Sequence, residues 1–162
     1  MPYSQISDLT ALLPSREILQ LADDIGGLND ADLLAAAGVG GDGLTGDQAA
    51  LRKVLMDAIS QADREIDGHV GLVRAVPLAA PPGLVSNMSA RLAIANLFNR
   101  RPHIDPGPWR DVQAGIRRTL DKIGEGKLSL GAEPGKTSQP EAQGVDVIAP
   151  ARIFGPGEWR RY

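Results

Sequence analysis

The feature that most constrains the fold of this chain is a long apolar stripe that ends at a proline corner. Between residues 47 and 73 the apolar side chains recur at spacings of three and four: Leu51, Val54, Leu55, Ala58, Ile59, Ala62, Ile66 and Val70. This spacing places them on one face of an α-helix. Proline restricts the residue before it to extended conformations, so a helix cannot pass Val76-Pro77. The pattern predicts one long helix, followed by a corner at Val76-Pro77-Leu78 with Ile66, Val70 and Leu78 in the core.

Two further helices are predicted after the corner. Pro81 and Pro82 open the first, whose apolar positions are Leu84, Val85, Met88, Leu92, Ala95 and Phe98. Asp105 is the predicted N-cap of the second, with Gly124 as its C-terminal stop. Its stripe is Trp109, Val112, Ile116, Leu120 and Ile123. No useful length of sequence alternates with a period of two, so we predict an all-α fold, a small bundle of about two short and three longer helices.

Residues before the long helix predict shorter helical pieces. Each begins at a side chain that can accept a hydrogen bond from a free backbone N–H: Ser7 for residues 8–13, Ser15 for residues 16–22, and Asn29 for a piece through Ala37. Thr45 and Gln48 fit a capping box at the start of the long helix.

Residues 38–46 contain five glycines. A phosphate-binding loop would need a preceding strand and a lysine with Ser or Thr at its end, and this segment has neither. A calcium loop would need more oxygen ligands than Asp42 and Asp47 supply. We therefore predict a flexible connection between helices, and we expect no cofactor and no metal.

The residues needed for catalysis are scarce. The chain has no cysteine and only two histidines, His69 and His103, which excludes thiolate chemistry and histidine-rich metal sites. Asp63, Glu65 and Asp67 are two apart on a helix, so they fan out rather than converge as an acid–base pair must. We predict that the protein is not an enzyme. Asp63 and Asp67, which are four apart, are with Arg64 the candidates for contacts between subunits. The alternative is a local interaction of the two carboxylates with Arg64 or Arg74.

Charge is unevenly distributed along the chain. Residues 1–71 carry 12 acidic and 4 basic side chains, a balance of −8, whereas residues 72–162 carry 8 acidic and 13 basic ones, a balance of +5. This split indicates either two faces with different partners or two ends that are merely solvated. No apolar run approaches the 18 residues of a membrane span, and the N-terminus has no signal peptide pattern, so we expect a cytosolic protein.

The C-terminal segment is predicted to be an extended docking arm over residues 132–162, separate from a helical domain over residues 1–131. Residues 132–151 are rich in Pro, Gly, Gln and Ser and have too few bulky apolar residues to fold alone. The end of the arm interleaves basic and apolar residues: Arg152, Ile153, Phe154, Trp159, Arg160, Arg161 and Tyr162. Such residues dominate protein interfaces, but they also stack on single-stranded nucleic acid or pack on their own bundle.

Several motifs, in order, resemble the Mu-like phage and prophage head-tail connector (adaptor, head completion) family. The first are Tyr3 with Asp8-Leu9, the end of the long helix at Glu65-Ile66-Asp67-Gly68-His69-Val70, and the corner residues Pro77-Leu78. The others are Pro82, Leu84-Val85 and residues 90–96 of the next helix, the segment 120–131 that leaves the last helix, and Arg152-Ile153-Phe154 with the terminal aromatic residue. Two departures are His69, where the family has an aromatic residue, and the longer glycine-rich segment 38–46.

The resemblance implies a structural subunit, assembled in the host cytoplasm and located at the head-tail interface of the virion. It implies a homo-oligomeric ring of about twelve copies, with the portal protein on one face and a tail, stopper or terminator protein on the other. DNA would pass through the channel without sequence-specific contact, and the arm would dock on the portal or on a neighbouring subunit. The alternative is a sequence-independent nucleic-acid-binding protein that uses Arg100, Arg101, Arg117, Arg118, Arg160 and Arg161.

Overall fold

The computed structural model describes residues 1–38 and 43–130, and this part of the chain forms six α-helices without a strand. The helices are α1 (Ile6–Leu12), α2 (Ser15–Ala22), α3 (Asp30–Ala37), α4 (Gly46–Val70), α5 (Gly83–Arg100) and α6 (Trp109–Gly124). The predicted all-α fold is confirmed. Residues 39–42 of the glycine-rich segment and the predicted arm lie outside the described residues. Among the helices described, none is both long enough and apolar enough to cross a bilayer.

The two long helices α4 and α5 form the centre of the core. The predicted stripe of α4 is buried except at Val54, which is partly buried against the core. Helix α5 is more deeply enclosed, because the other four helices pack against α5, against α4 or against both. Leu84 does not follow the prediction for α5: it lies in the first turn, at the edge of the core, and is 48% exposed. At the corner, Leu78 is partly buried against the core.

Helix α6 covers one side of this pair with an amphipathic face. Ile116, Leu120 and Ile123 are buried, and Trp109 and Val112 are partly buried at its beginning. The burial pattern therefore matches the predicted stripe.

Two of the predicted helix starts are confirmed. The Asn29 side chain accepts hydrogen bonds from the backbone N–H groups of Ala31 (2.8 Å) and Asp32 (3.3 Å) at the start of α3. At the start of α4, the Gln48 N–H donates to Thr45 Oγ1 (3.4 Å) and the Thr45 N–H donates to Gln48 Oε1 (3.1 Å).

The prediction that Ser7 and Ser15 are N-caps is wrong. Helix α1 begins at Ile6, after the N-cap Gln5, whose backbone N–H donates to Asp8 Oδ2 at 2.7 Å. The carboxylate of Asp8 thus closes the first turn from inside the helix, and Ser7 is already helical. Ser15 is likewise the first helical residue of α2, with Pro14 at the N-cap position.

Two helix ends also differ from the prediction. Helix α4 stops at Val70, three residues before Val73. Helix α6 begins at Trp109, later than a cap at Asp105 would place it. The Asp105 carboxylate instead accepts a hydrogen bond from the Gly107 N–H (3.1 Å), and Gly107 has a φ of +49°, which favours glycine. Asp105 therefore closes a turn that precedes the helix.

Candidate functional site

Tyr3 joins the N-terminus of the chain to both sides of the helix corner. Its hydroxyl donates to the Asp67 carboxylate of α4 and accepts from the backbone N–H of Leu78 at 2.9 Å, just after the cis Val76–Pro77 bond. The backbone N–H of Tyr3 donates to Asp63 Oδ2 at 3.0 Å. We call Tyr3, Asp63, Asp67 and the Leu78 N–H the Tyr3 latch. These bonds hold α4 in a fixed position relative to the segment that leads into α5.

The latch lies in a largely buried environment. The Tyr3 side chain is only 5% exposed. Burial disfavours the charged phenolate, and the hydrogen bond to Asp67 requires the phenol proton, so the pKa of Tyr3 is raised to about 12. At neutral pH the tyrosine therefore keeps its proton and remains a donor.

Two buried hydroxyl groups extend the latch to α5. Ser89 Oγ donates to Asp63 Oδ1 at 2.6 Å, and the Ser4 and Ser89 hydroxyl oxygens lie 2.8 Å apart. Both serines are at most 1% exposed, so these bonds satisfy polar groups that water does not reach. The network links the N-terminus, α4 and α5 through side chains that are distant in sequence.

The predicted subunit-contact residues are placed in different surroundings. Asp63 and Asp67 take part in the latch within the subunit. Arg64 is exposed and lines an open groove of about 850 Å³ that lies along α4 and α5. Polar side chains such as Lys53 and Asn96 line the same groove. Contact of Asp63, Arg64 and Asp67 with a neighbouring subunit stays a prediction.

Arginines at the end of α5 are tied to the loop after α2. Arg100 and Arg101 both pair with the Asp24 carboxylate, with 2.7 Å between Arg101 Nη2 and Asp24 Oδ1. Arg101 also donates to the backbone carbonyl of Asp23 at 2.8 Å. The hydrogen bond from Arg100, with the charge of both arginines, lowers the pKa of Asp24 despite partial desolvation. These guanidinium groups therefore already have an anionic partner.

A third arginine proposed for nucleic-acid contact is paired across helices. Arg117 Nε lies 2.6 Å from Glu65 Oε1, and the hydrogen bond to that carboxylate raises the pKa of Arg117. Arg118 on the same helix is exposed. A phosphate at Arg100, Arg101 or Arg117 would have to compete with a carboxylate of the chain itself.

An apolar surface lies next to the corner, and the sequence analysis did not identify it. Leu72 is 73% exposed, Val73 is 50% exposed and Val76 is 38% exposed. A Cβ atom built on Gly124 would lie 3.2 Å from Leu72 Cδ1, so Leu72 lies beside the C-terminal end of α6. We call Leu72, Val73 and Val76 the apolar end. Its signal in the sequence was Leu72, which lies off the α4 stripe.

The remaining residues that the sequence singles out either connect two helices or lie outside the described part of the chain. His69 Nδ1 lies 3.5 Å from Asp121 Oδ1, which connects the end of α4 to α6. Within residues 1–38 and 43–130, no group of three or more histidine and acidic residues could hold a metal ion. The predicted docking residues lie outside the described part of the chain: Arg152, Ile153, Phe154, Trp159, Arg160, Arg161 and Tyr162.

Comparison with models of protein families finds a match over most of the chain. A family model described as "Bacteriophage Mu, Gp36" matches residues 3–149. The matched range covers the Tyr3 latch, all six helices and the apolar end, so the similarity extends over the whole helical unit. A search of curated proteins found no match.

Proposed function

From the premise that this chain belongs to the bacteriophage Mu Gp36 family, we propose that it is a structural head-tail connector subunit of a tailed double-stranded DNA phage. Copies of the subunit form a ring beneath the portal, and the genome passes through that ring. The role is one of shape and contact rather than catalysis, so the protein needs no cofactor.

The apolar end is the observation that carries this proposal. Leu72 and Val73 are at least half exposed, and they lie beside the corner that the Tyr3 latch fixes. Clustered exposed apolar side chains favour interaction surfaces, because burying them in a complex removes them from water. A rigid corner that displays such side chains suits repeated contact between identical subunits.

The proposed partners follow from the ring. Each copy contacts two neighbours, and the ring of about twelve copies binds the portal on one face and a tail, stopper or terminator protein on the other. The location is the head-tail interface of the virion.

Charge supports passage of DNA rather than its retention. The balance of −8 over residues 1–71 could provide a wall that repels phosphate, and Arg100, Arg101 and Arg117 are neutralised by carboxylates of the chain. Each free cationic contact would add affinity for phosphate and slow the passage of DNA.

Mass measurement of the full chain, alone and mixed with its portal, tests the proposal. We expect a ring-sized complex in the mixture. Leu72→Asp should weaken that complex because it places a charge in the proposed contact. Leu34→Asp is the matched control, since Leu34 is 76% exposed on α3, away from the corner. A wild-type chain that stays monomeric with and without portal would contradict the proposal, and equal effects of the two variants would remove the special role of the apolar end.

A further inference from the structure

A second surface feature is a groove between α2 and the start of α6. It has a volume of about 370 Å³ and includes Trp109 in its wall, and we call it the Trp109 groove. Its main side chains are Glu17, Leu21, Phe98, Ile104, Asp105 and Trp109. This volume is within the range of ligand-binding pockets and is large enough to hold a few side chains of a peptide.

The chemistry of the groove combines apolar walls with negative charge. Leu21 and Phe98 are buried in the core, whereas Ile104 and Trp109 are partly buried and present apolar surface. The only charged side chains among its described lining residues are two exposed carboxylates, Glu17 and Asp105. The carboxylate of Asp105 accepts a backbone hydrogen bond from Gly107 through Oδ1.

Such a groove is complementary to a segment that carries both arginine and aromatic side chains. A guanidinium group pairs with a carboxylate through charge-assisted hydrogen bonds and also stacks on the face of a tryptophan. An aromatic ring of the same segment would bury apolar surface against the groove walls. The chain itself ends in Trp159-Arg160-Arg161-Tyr162, with two guanidinium groups between two aromatic rings.

We propose that the Trp109 groove binds the Trp159–Tyr162 segment of a neighbouring copy, with Arg160 and Arg161 on the carboxylates of Glu17 and Asp105. This inference rests on the proposed ring and names a contact that would join its subunits. A groove and a terminal segment are different surfaces of one chain, so their contact is heterologous, which is the kind that generates rings. The segment can reach a neighbour because the 32 residues after Leu130 span up to roughly 100 Å when extended.

Cysteine cross-linking tests the contact directly, because the chain has no cysteine of its own. Gln20, which is exposed at the groove, and Glu158, next to the terminal segment, are replaced by Gln20→Cys and Glu158→Cys in the full chain. A short bis-maleimide should then join them. Lys122→Cys replaces Gln20→Cys in the control, since Lys122 lies about 20 Å along α6 from Trp109.

Isotope mixing identifies which copy supplies the segment. The double-cysteine chain is prepared with ¹⁴N and with ¹⁵N, the two preparations are mixed before assembly with the portal, and cross-linked peptides are measured by mass. We expect peptides that join a light and a heavy chain. Links only within one chain, or links no more frequent than in the Lys122 control, would overturn the proposal.

Charge exchange provides a second test that a folding defect cannot imitate. The chain with Glu17→Arg and Asp105→Arg, and the chain with Arg160→Glu and Arg161→Glu, should each self-associate roughly tenfold more weakly than the wild type. The chain that carries all four changes should regain association. Failure to regain it would contradict the inference, while a normal complex of all variants with the portal would leave the connector proposal standing.

Discussion

At the residue scale, the phenol of Tyr3 carries the proton on which the latch depends. Its folded pKa of about 12 lies above the ordinary value of 10.0. A raised pKa means that the native state holds the proton more tightly than the unfolded chain. The resulting stabilisation is complete below about pH 10 and is lost as the pH rises through 12. The rise of the Tyr3 pKa from 10.0 to about 12 corresponds to about 3 kcal/mol.

Tyr3→Phe should therefore lower the free energy of unfolding by about 1–3 kcal/mol at pH 7, since the Leu78 N–H and the Asp67 carboxylate lose a partner. The difference between wild type and variant should shrink between pH 10 and 12, where wild-type Tyr3 ionises beside Asp67. Urea unfolding at a series of pH values measures both effects. A difference that stays constant up to pH 12 would show that the proton of Tyr3 does not matter to the latch.

The hydrogen bonds of the Tyr3 latch cannot be predicted from local sequence. The family resemblance includes Tyr3, and the sequence predicts Asp63 and Asp67 as subunit contacts rather than as partners of Tyr3. Their hydrogen bonds join residues 60 to 75 positions apart. No local pattern specifies such a pairing, because it depends on how α4 and the N-terminus pack. The buried Ser4 and Ser89 pair was missed for the same reason.

At the element scale, the spacing of apolar residues predicts the helices. The residue at which a helix begins is predictable only where a single nearby residue can serve as the N-cap. Asn29 and Thr45 cap helices as expected. Ser7 and Ser15 do not, because neighbouring residues, Gln5 with Asp8 and then Pro14, begin those helices earlier. Serine before an apolar run is an ambiguous signal when a second polar or proline residue lies within three positions.

Asn29→Ala should lower the free energy of unfolding by about 1 kcal/mol, because α3 loses the acceptor for two backbone N–H groups. Ser7→Ala is the matched control. It should change stability by no more than about 0.5 kcal/mol, because Ser7 is an exposed residue inside α1. Thermal or urea unfolding of the two variants checks the assignment, and equal costs would restore Ser7 as a cap.

Helix α6 packs closely against the end of α4 at Gly124. A Cβ atom at Gly124 would lie 3.3 Å from the backbone oxygen of His69, whereas one at Gly115 would meet nothing within 4 Å. Gly115→Ala should therefore stabilise the protein by about 0.5–1 kcal/mol through helix propensity. Gly124→Ala should give less than this or a loss, as measured by urea unfolding. An equal gain at both positions would show that α4 and α6 are not closely packed there.

At the scale of the whole molecule, the distribution of charge distinguishes the proposed connector from the nucleic-acid-binding alternative. The acidic first part of the chain and the ion pairs of Arg100, Arg101 and Arg117 disfavour tight binding of phosphate. The free full chain should bind duplex or single-stranded DNA with a dissociation constant weaker than about 10⁻⁴ M at 0.15 M salt. Fluorescence anisotropy over a salt series measures this. Micromolar affinity that falls steeply with salt would favour the nucleic-acid-binding alternative.

The sequence predicts the Mu-like phage family and the helical bundle, but it does not predict which side chains the folded subunit leaves exposed. Val73 would share the buried face of Val70 in a longer helix, but it is half exposed because α4 ends at Val70, three residues earlier than periodicity predicts. Likewise the Trp109 groove exists because Asp105 closes a turn and α6 begins late. Both surfaces arise from helix ends, where chain direction depends on individual turns rather than on a repeating pattern.

Electron cryo-microscopy of the full chain assembled with its portal is the most direct measurement of the connector role. The account predicts a closed ring, coaxial with the portal, in which every subunit keeps the bond between Tyr3 and the Leu78 N–H and buries Leu72 against a neighbour or the portal. Portal particles that carry no ring of this chain, under conditions in which both proteins are folded and in excess, would contradict it.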